Sequence, residues 1–246
     1  MASGTDGELV GHFRVAYESV VRYPVLIVPP LAVGVLGFGV LAVVFLVVGG
    51  ATVMGALLGG LQGSGELIAV AGIAGLILAI LLFGLVMGLI WLLSSCMVVV
   101  MARDALDGRE PGLANALSAV LGRLGVVFVA SSLVTIIVGF AFLFLVIPGL
   151  VAAVLLVFTM PAVLLDGLGA VAGMKRSVAL VRHHLGPVIG FVVGSLLALV
   201  GVAIASWILG FIPFLGALAS FVLHGAALSY LTVVAVRFYR TLATTL

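Results

Sequence analysis

The sequence predicts an all-α fold: a polytopic membrane helical bundle of six transmembrane helices in three parallel hairpin repeats, each preceded by a cytoplasmic interfacial amphipathic helix. Three observations carry that prediction. Of the 246 residues, 65% are hydrophobic and 7% are charged, against roughly 45 to 50% apolar in soluble domains, and the mean hydropathy is +1.53. Six apolar runs are long enough to cross about 30 Å of hydrocarbon, which takes about 20 helical residues. All ten lysines and arginines fall on one side of those runs.

The chain is read as a single integral membrane domain over residues 1–246, with spans at about 24–48, 67–101, 125–147, 149–165, 187–210 and 214–236. Asp6, Glu8, His12, Arg14, Glu18 and Arg22 precede the first run, with no short apolar segment ending in an A-x-A site, so that run is expected to stay in the membrane. Arg14 and Arg22 lie before the first span, Arg103, Arg109 and Arg123 between the second and third, Lys175, Arg176 and Arg182 between the fourth and fifth, and Arg237 and Arg240 after the sixth. Cytoplasmic loops carry the basic residues, so both termini are expected in the cytoplasm. The loops 49–66, around Pro148-Gly149, and 211–213 hold none and are expected outside.

Each span has its own signal. The run 67–101 could hold two helices, but splitting it would put the later basic loops on the wrong side. It is read as one long helix, tilted or bent, and loosened by Gly72, Gly75, Gly84 and Gly88. The glycine-rich segment 49–65 is too irregular for a span and is read as re-entrant or surface-lying. Pro161, five residues before Asp166, predicts a kink or early end of the fourth span. One cysteine, Cys96, excludes an internal disulfide and a cysteine-based metal cluster.

Before the first, third and fifth spans, at about 8–22, 112–124 and 168–185, apolar residues recur every three or four positions. Val171, Met174, Val178, Val181 and Leu185 form the clearest stripe, with Lys175, Arg182 and His183 off it. Leu113, Leu117, Val120, Leu121 and Leu124 repeat the design, and Leu9, Phe13, Ala16, Tyr17 and Val20 do so more loosely. These are read as interfacial helices. The units run parallel, each starting inside, unlike the inverted repeats of many transporters.

Three of the eight carboxylates crowd into "DALDGREPGL" at 104–113. Asp104-x-x-Asp107-Gly108 resembles the start of the CDP-alcohol phosphotransferase signature, whose acidic side chains hold divalent metals. That signature goes on to Ala-Arg at 111–112, then Gly, Asp and Asp at 121, 125 and 129. Here Pro111-Gly112, Leu121, Gly125 and Val129 stand instead. The stretch is therefore read as an elbow: Gly108 ends one helix, Pro111 begins the next, and the carboxylates pair with Arg103 and Arg109.

"DALDGREPGLANALSAVLGRLG", "IPG", "MPAVLLDGLGAVAGMKRSVALVRHHLG" and "ALSYLTVVAVRFYR" resemble a group of six-span prokaryotic membrane proteins of obscure function. It includes the membrane domain found with some glycerophosphodiester phosphodiesterases. The resemblance covers roughly residues 100–240 and implies a fold and a prokaryotic plasma membrane. It implies no catalytic residue.

Lys175, Arg176, Arg182 and Arg123 are the candidate contacts to membrane lipids of anionic type, and His224, midway along the sixth span, is the intramembrane polar candidate. Adjacent histidines point about 100° apart on a helix, so His183-His184 make a poor metal site. Gly186, Gly190 and Gly194, and Gly84-x-x-x-Gly88, offer small faces for packing within the bundle or in a homo-oligomer. No catalytic motif, cofactor site, metal site or nucleic-acid signature is recognised. The first reading is a non-enzymatic, lipid-interacting or membrane-organising protein. The alternative is a channel or small-solute transporter, and a lipid head-group phosphotransferase ranks third.

Overall fold

The computed structural model describes residues 3–40, 42, 43, 46, 50, 65–212 and 215–244, and every regular element among them is helical. In chain order these are α1 (Ser3–Arg22), a short 3-10 helix (Pro24–Ile27), α2 (28–40), α3 (Gly65–Leu106), α4 (Leu113–Leu121), α5 (Leu124–Phe144), α6 (Val146–Leu155), α7 (Thr159–Leu165), α8 (Ala170–His183), α9 (Leu185–Leu209) and α10 (Leu215–Ala243). Among the described residues, five helical stretches suit a membrane span: Ile77–Leu106, Leu124–Phe144, Val146–Leu165, Leu185–Leu209 and Leu215–Ala243. A sixth is counted if Gly11–Arg22 and Pro24–Val40, bent by 96°, form one broken span. The protein is a polytopic all-α membrane bundle. The reading of 49–65 falls almost wholly outside the described residues.

The run 67–101 is indeed one helix, and its glycines do not interrupt the 42 residues of α3. The turn expected at Pro148-Gly149 comes earlier, at Leu145, where φ is −163° and ψ is 148°. Proline belongs in a first helical turn, where its missing N–H is not needed. Accordingly α6 starts at Val146, two residues before Pro148.

The described chain forms two compact units, Met1–Leu31 with Leu92–Leu246, and Ala32–Trp91. In the smaller unit the helices meet where a Cβ on Gly37 would lie 3.3 Å from Met87 Sδ. The larger unit is centred on aromatic rings. Phe191 stacks on Phe238 at 5.2 Å, Phe158 lies 5.9 Å from Phe191 and 6.0 Å from Tyr239, and His12 meets the edge of Phe238 at 5.4 Å.

Two helix breaks in this unit leave backbone groups without intrahelical partners, and a serine from another helix serves each. At the first, Pro29 has no N–H for Val25 O, so the Val28 N–H bonds there instead and tightens the chain to a 3-10 turn. Pro30 likewise leaves Leu26 O open, and Ser229 Oγ of α10 donates to it at 2.7 Å, both residues being buried.

The second break separates α6 from α7. Val157 N–H turns to Val154 O and Thr159 N–H to Leu156 O, which leaves Phe158 N–H and Leu155 O unpaired. Ser177 Oγ of α8 accepts from Phe158 N–H at 3.1 Å and donates to Leu155 O at 2.8 Å. The break lies just ahead of Pro161, which occupies the first turn of α7. The proline thus starts a helix instead of kinking one.

The three short helices dock through narrow faces. On α8 the buried residues are Gly173, Ser177, Leu180 and Val181. This face is turned roughly a quarter of the way round the helix from the expected stripe. Val171 is 56% exposed and only Val181 belongs to both sets. Small residues decide the docking, because a Cβ on Gly173 would lie 2.6 Å from Val163 Cγ2 of α7. On α4 Ala116 and Val120 are buried while Leu117 and Leu121 are exposed, and on α1 Ala16 is buried while Tyr17 is exposed.

Replacing Ser177 with alanine strands a buried N–H and a partly buried C=O, and is expected to lower stability by about 1 to 3 kcal/mol. The exposed Ser118, which bonds Asn115 O on its own helix, is the control, and its alanine variant should stay within about 0.5 kcal/mol of the parent. Thermal unfolding of the two purified variants checks this; equal midpoints would show that the serine bridge contributes nothing.

Candidate functional site

The polar chemistry of the larger unit gathers at one end, where the four segments expected in the cytoplasm meet. After α3 the chain turns through Gly108, whose φ of 72° lies in the left-handed region. Gly112 then caps α4, accepting from Ala116 N–H at 3.0 Å, so Pro111 precedes the helix instead of entering its first turn. The turn presents Asp104 and Asp107. Arg103 grips Asp104 Oδ1 through Nε at 3.1 Å and Nη2 at 2.9 Å. Arg109 reaches Asp107 Oδ2 at 2.6 Å, and Arg240, from the last turn of α10, reaches Asp107 Oδ1 at 2.7 Å. The bonds from Arg109 and then Arg240 hold the Asp107 carboxyl below its usual range.

The residue beside Arg240 makes a second tie. Tyr239 donates its hydroxyl hydrogen to Asp166 in the turn between α7 and α8. Arg176 of α8 lies close enough to that hydroxyl to interact with it. One turn earlier on α10, Arg237 donates to Gly11 O of α1 at 3.3 Å. Arg123, between α4 and α5, places its two terminal nitrogens 2.6 Å from Val163 O and 2.6 Å from Gly167 O, closing the end of α7. Gly167 has a φ of 71° and stops that helix.

Of the residues singled out in the sequence, Arg123 and Arg176 therefore join this polar end. Lys175 and Arg182 stand exposed on α8, next to Val171 and Val178 around the helix. His224 lies elsewhere, on the α9–α10 hairpin, with Nδ1 2.8 Å from Ser220 O and 3.3 Å from Ser206 Oγ. Gly194 packs under Phe13, whose ring a Cβ would meet at 2.9 Å, whereas no described atom lies within 4 Å of such a Cβ on Gly84, Gly88 or Gly186. Tyr239, Asp166, Ser177 and Ser229 carried no signal in the sequence, since their partners lie 19 to 203 residues away. Arg240 was visible as a basic residue past the last span, but its partner Asp107 was not.

The D-x-x-D-G carboxylates are occupied by guanidinium groups, three arginines to two aspartates. A divalent cation would have to displace those arginines and find further oxygen ligands. Among the described residues no group of three or more His, Cys, Asp or Glu could hold a metal.

A family model described as a domain of unknown function, DUF7847, matches residues 112–246, more than half of the chain and all of α4 to α10. No curated protein and no solved structure matches the chain.

Because Asp107 has a lower pKa folded than unfolded, its ion pairs contribute stability above the unfolded carboxylate value of about 4 and lose it as pH falls through the folded value. The stability gap between the parent and Asp107→Asn should thus be constant from about pH 7 to 5 and close below about pH 4. It should not exceed about 1 kcal/mol, since these pairs are partly solvated. Mg²⁺ or Mn²⁺ should leave the parent's Tm unchanged; a metal-dependent rise lost in Asp107→Asn would restore the phosphotransferase reading.

Proposed function

The chain belongs to the DUF7847 family, and we propose that it is a non-enzymatic protein of a prokaryotic plasma membrane, with both termini cytoplasmic, that holds anionic lipid against its surface helices. The observation that carries this reading is the outward edge of α8. Val171 and Val178 lie seven residues apart on it, with Lys175 and Arg182 on the neighbouring line, and Leu185 follows at the start of α9. Val171 and Leu185 are more than half exposed, and α8 already docks through its other side. An exposed apolar line flanked by cations suits the headgroup boundary, where hydrocarbon takes the valines and phosphates take the bases.

The same division recurs on the other short helices, with Leu117 and Leu121 exposed on α4 and Tyr17 and Val21 on α1. The placement of all ten basic residues in four segments supports the orientation. The resemblance to a membrane domain found with some glycerophosphodiester phosphodiesterases is a further reason to look to phospholipid. A channel or solute transporter needs a polar path. That reading has less support, because Ser206, Ser220 and His224 form one small polar cluster on a single hairpin and not a line of polar groups through the bundle.

Each exposed base beside an anionic bilayer contributes about 1 kcal/mol, so Lys175→Gln with Arg182→Gln should weaken this lipid contact by about 2 kcal/mol at low salt. The spans still hold the protein in the membrane, so the readout is phosphatidylglycerol or cardiolipin retained per protein after gentle detergent extraction. Arg176→Gln, at the position beside the Tyr239 hydroxyl, should retain lipid as the parent does. Equal retention by a folded double variant would leave these bases as topology signals alone.

A further inference from the structure

His224 poses a problem that the lipid reading does not resolve. It sits nine residues into α10 and is exposed, on a helix that crosses hydrocarbon. The carbonyl of Ser220 at 2.8 Å requires the proton on Nδ1, so the neutral ring presents Nε2 as an acceptor with no partner among the described residues. Ser206 Oγ, 3.3 Å from Nδ1, is on the accepting side of that proton, which leaves its own hydroxyl hydrogen to donate. Ser220 Oγ is already committed to Ser206 O at 3.3 Å. Lipid tails satisfy neither the free acceptor nor the free donor, and intramembrane polar groups of this kind face protein or a water-filled cavity.

We propose that this face of the α9–α10 hairpin pairs with the same face of a second copy of the chain, His224 Nε2 of each copy accepting from Ser206 Oγ–H of the other. A two-fold contact must be self-complementary. The patch has that property, with one free acceptor and one free donor. A partner of different sequence would need the opposite set by coincidence. Ala203 and Ala217, exposed on the two helices, and Gly210, exposed just past the end of α9, are small enough for the hairpins to approach closely.

The test uses the full chain in phosphatidylglycerol-containing vesicles, in a Cys96→Ala background. Cysteine introduced at Ala203 or Ala217 should form an oxidised dimer, whereas cysteine at Ile136, exposed on α5, should not. With labelled copies diluted in lipid, His224→Leu should raise the protein-to-lipid ratio at half-dimerisation roughly tenfold, the effect of losing two interhelical hydrogen bonds of the strength measured in lipid. His224→Gln keeps a carbonyl acceptor and should recover most of that loss, which separates a lost contact from a misfolded helix. A chain that stays monomeric at every dilution would overturn the proposal, as would unchanged dimerisation in His224→Leu.

Discussion

A backbone N–H or C=O inside hydrocarbon has no water to turn to, so each break in a spanning helix must find its partner within the protein. This constraint organises the larger unit. Pro29 and Pro30 open the turn before α2, and Ser229 closes it. The α6–α7 break leaves one donor and one acceptor, and a single hydroxyl on Ser177 serves both. The end of α7 is closed by Arg123. Each closing group comes from another element, so these local irregularities are also cross-links of the bundle.

The last helix bears much of that linkage. Ser229, Tyr230, Arg237, Tyr239 and Arg240 of α10 reach respectively the 3-10 turn, α1 at Phe13, α1 at Gly11, the α7–α8 turn and the α3–α4 elbow. The rings of Phe238 and Tyr239 are buried beneath those polar ties, against Phe158 and Phe191. A rigid polar end of this kind holds α8 so that one side docks on Val163 and the other faces outward. The geometry that fastens the helix is thus the geometry that leaves Val171, Lys175 and Arg182 exposed.

Much of the fold was legible because hydrocarbon imposes long apolar runs and a sidedness of charge. The run 67–101 was resolved as one helix by counting basic loops, and three short helices stood out by period. The period does not say which apolar residue meets protein and which meets lipid, so the face on α8 was read about a quarter turn off. From the sequence, Pro148 marks the corner between the third and fourth spans, and Pro161 a kink or early end of the fourth. Both sit in first turns, with the breaks ahead of them at Leu145 and at 156–158. Ser177 was invisible as a site, because nothing local to "KRSVAL" reveals the carbonyl at Leu155. The elbow at 104–113 was read correctly as paired charge, but Arg240 could not be named from a position more than a hundred residues away.

The claim that broken helices are closed by side chains of their neighbours is tested most directly by hydrogen exchange at the Phe158 amide, in the full chain in lipid nanodiscs. Without Ser177 this N–H would be unbonded at a helix break. The serine bridge predicts protection comparable to amides within α5 and α9, and loss of that protection in Ser177→Ala. Exchange at Phe158 as fast as at exposed loop amides in the parent protein would contradict the account.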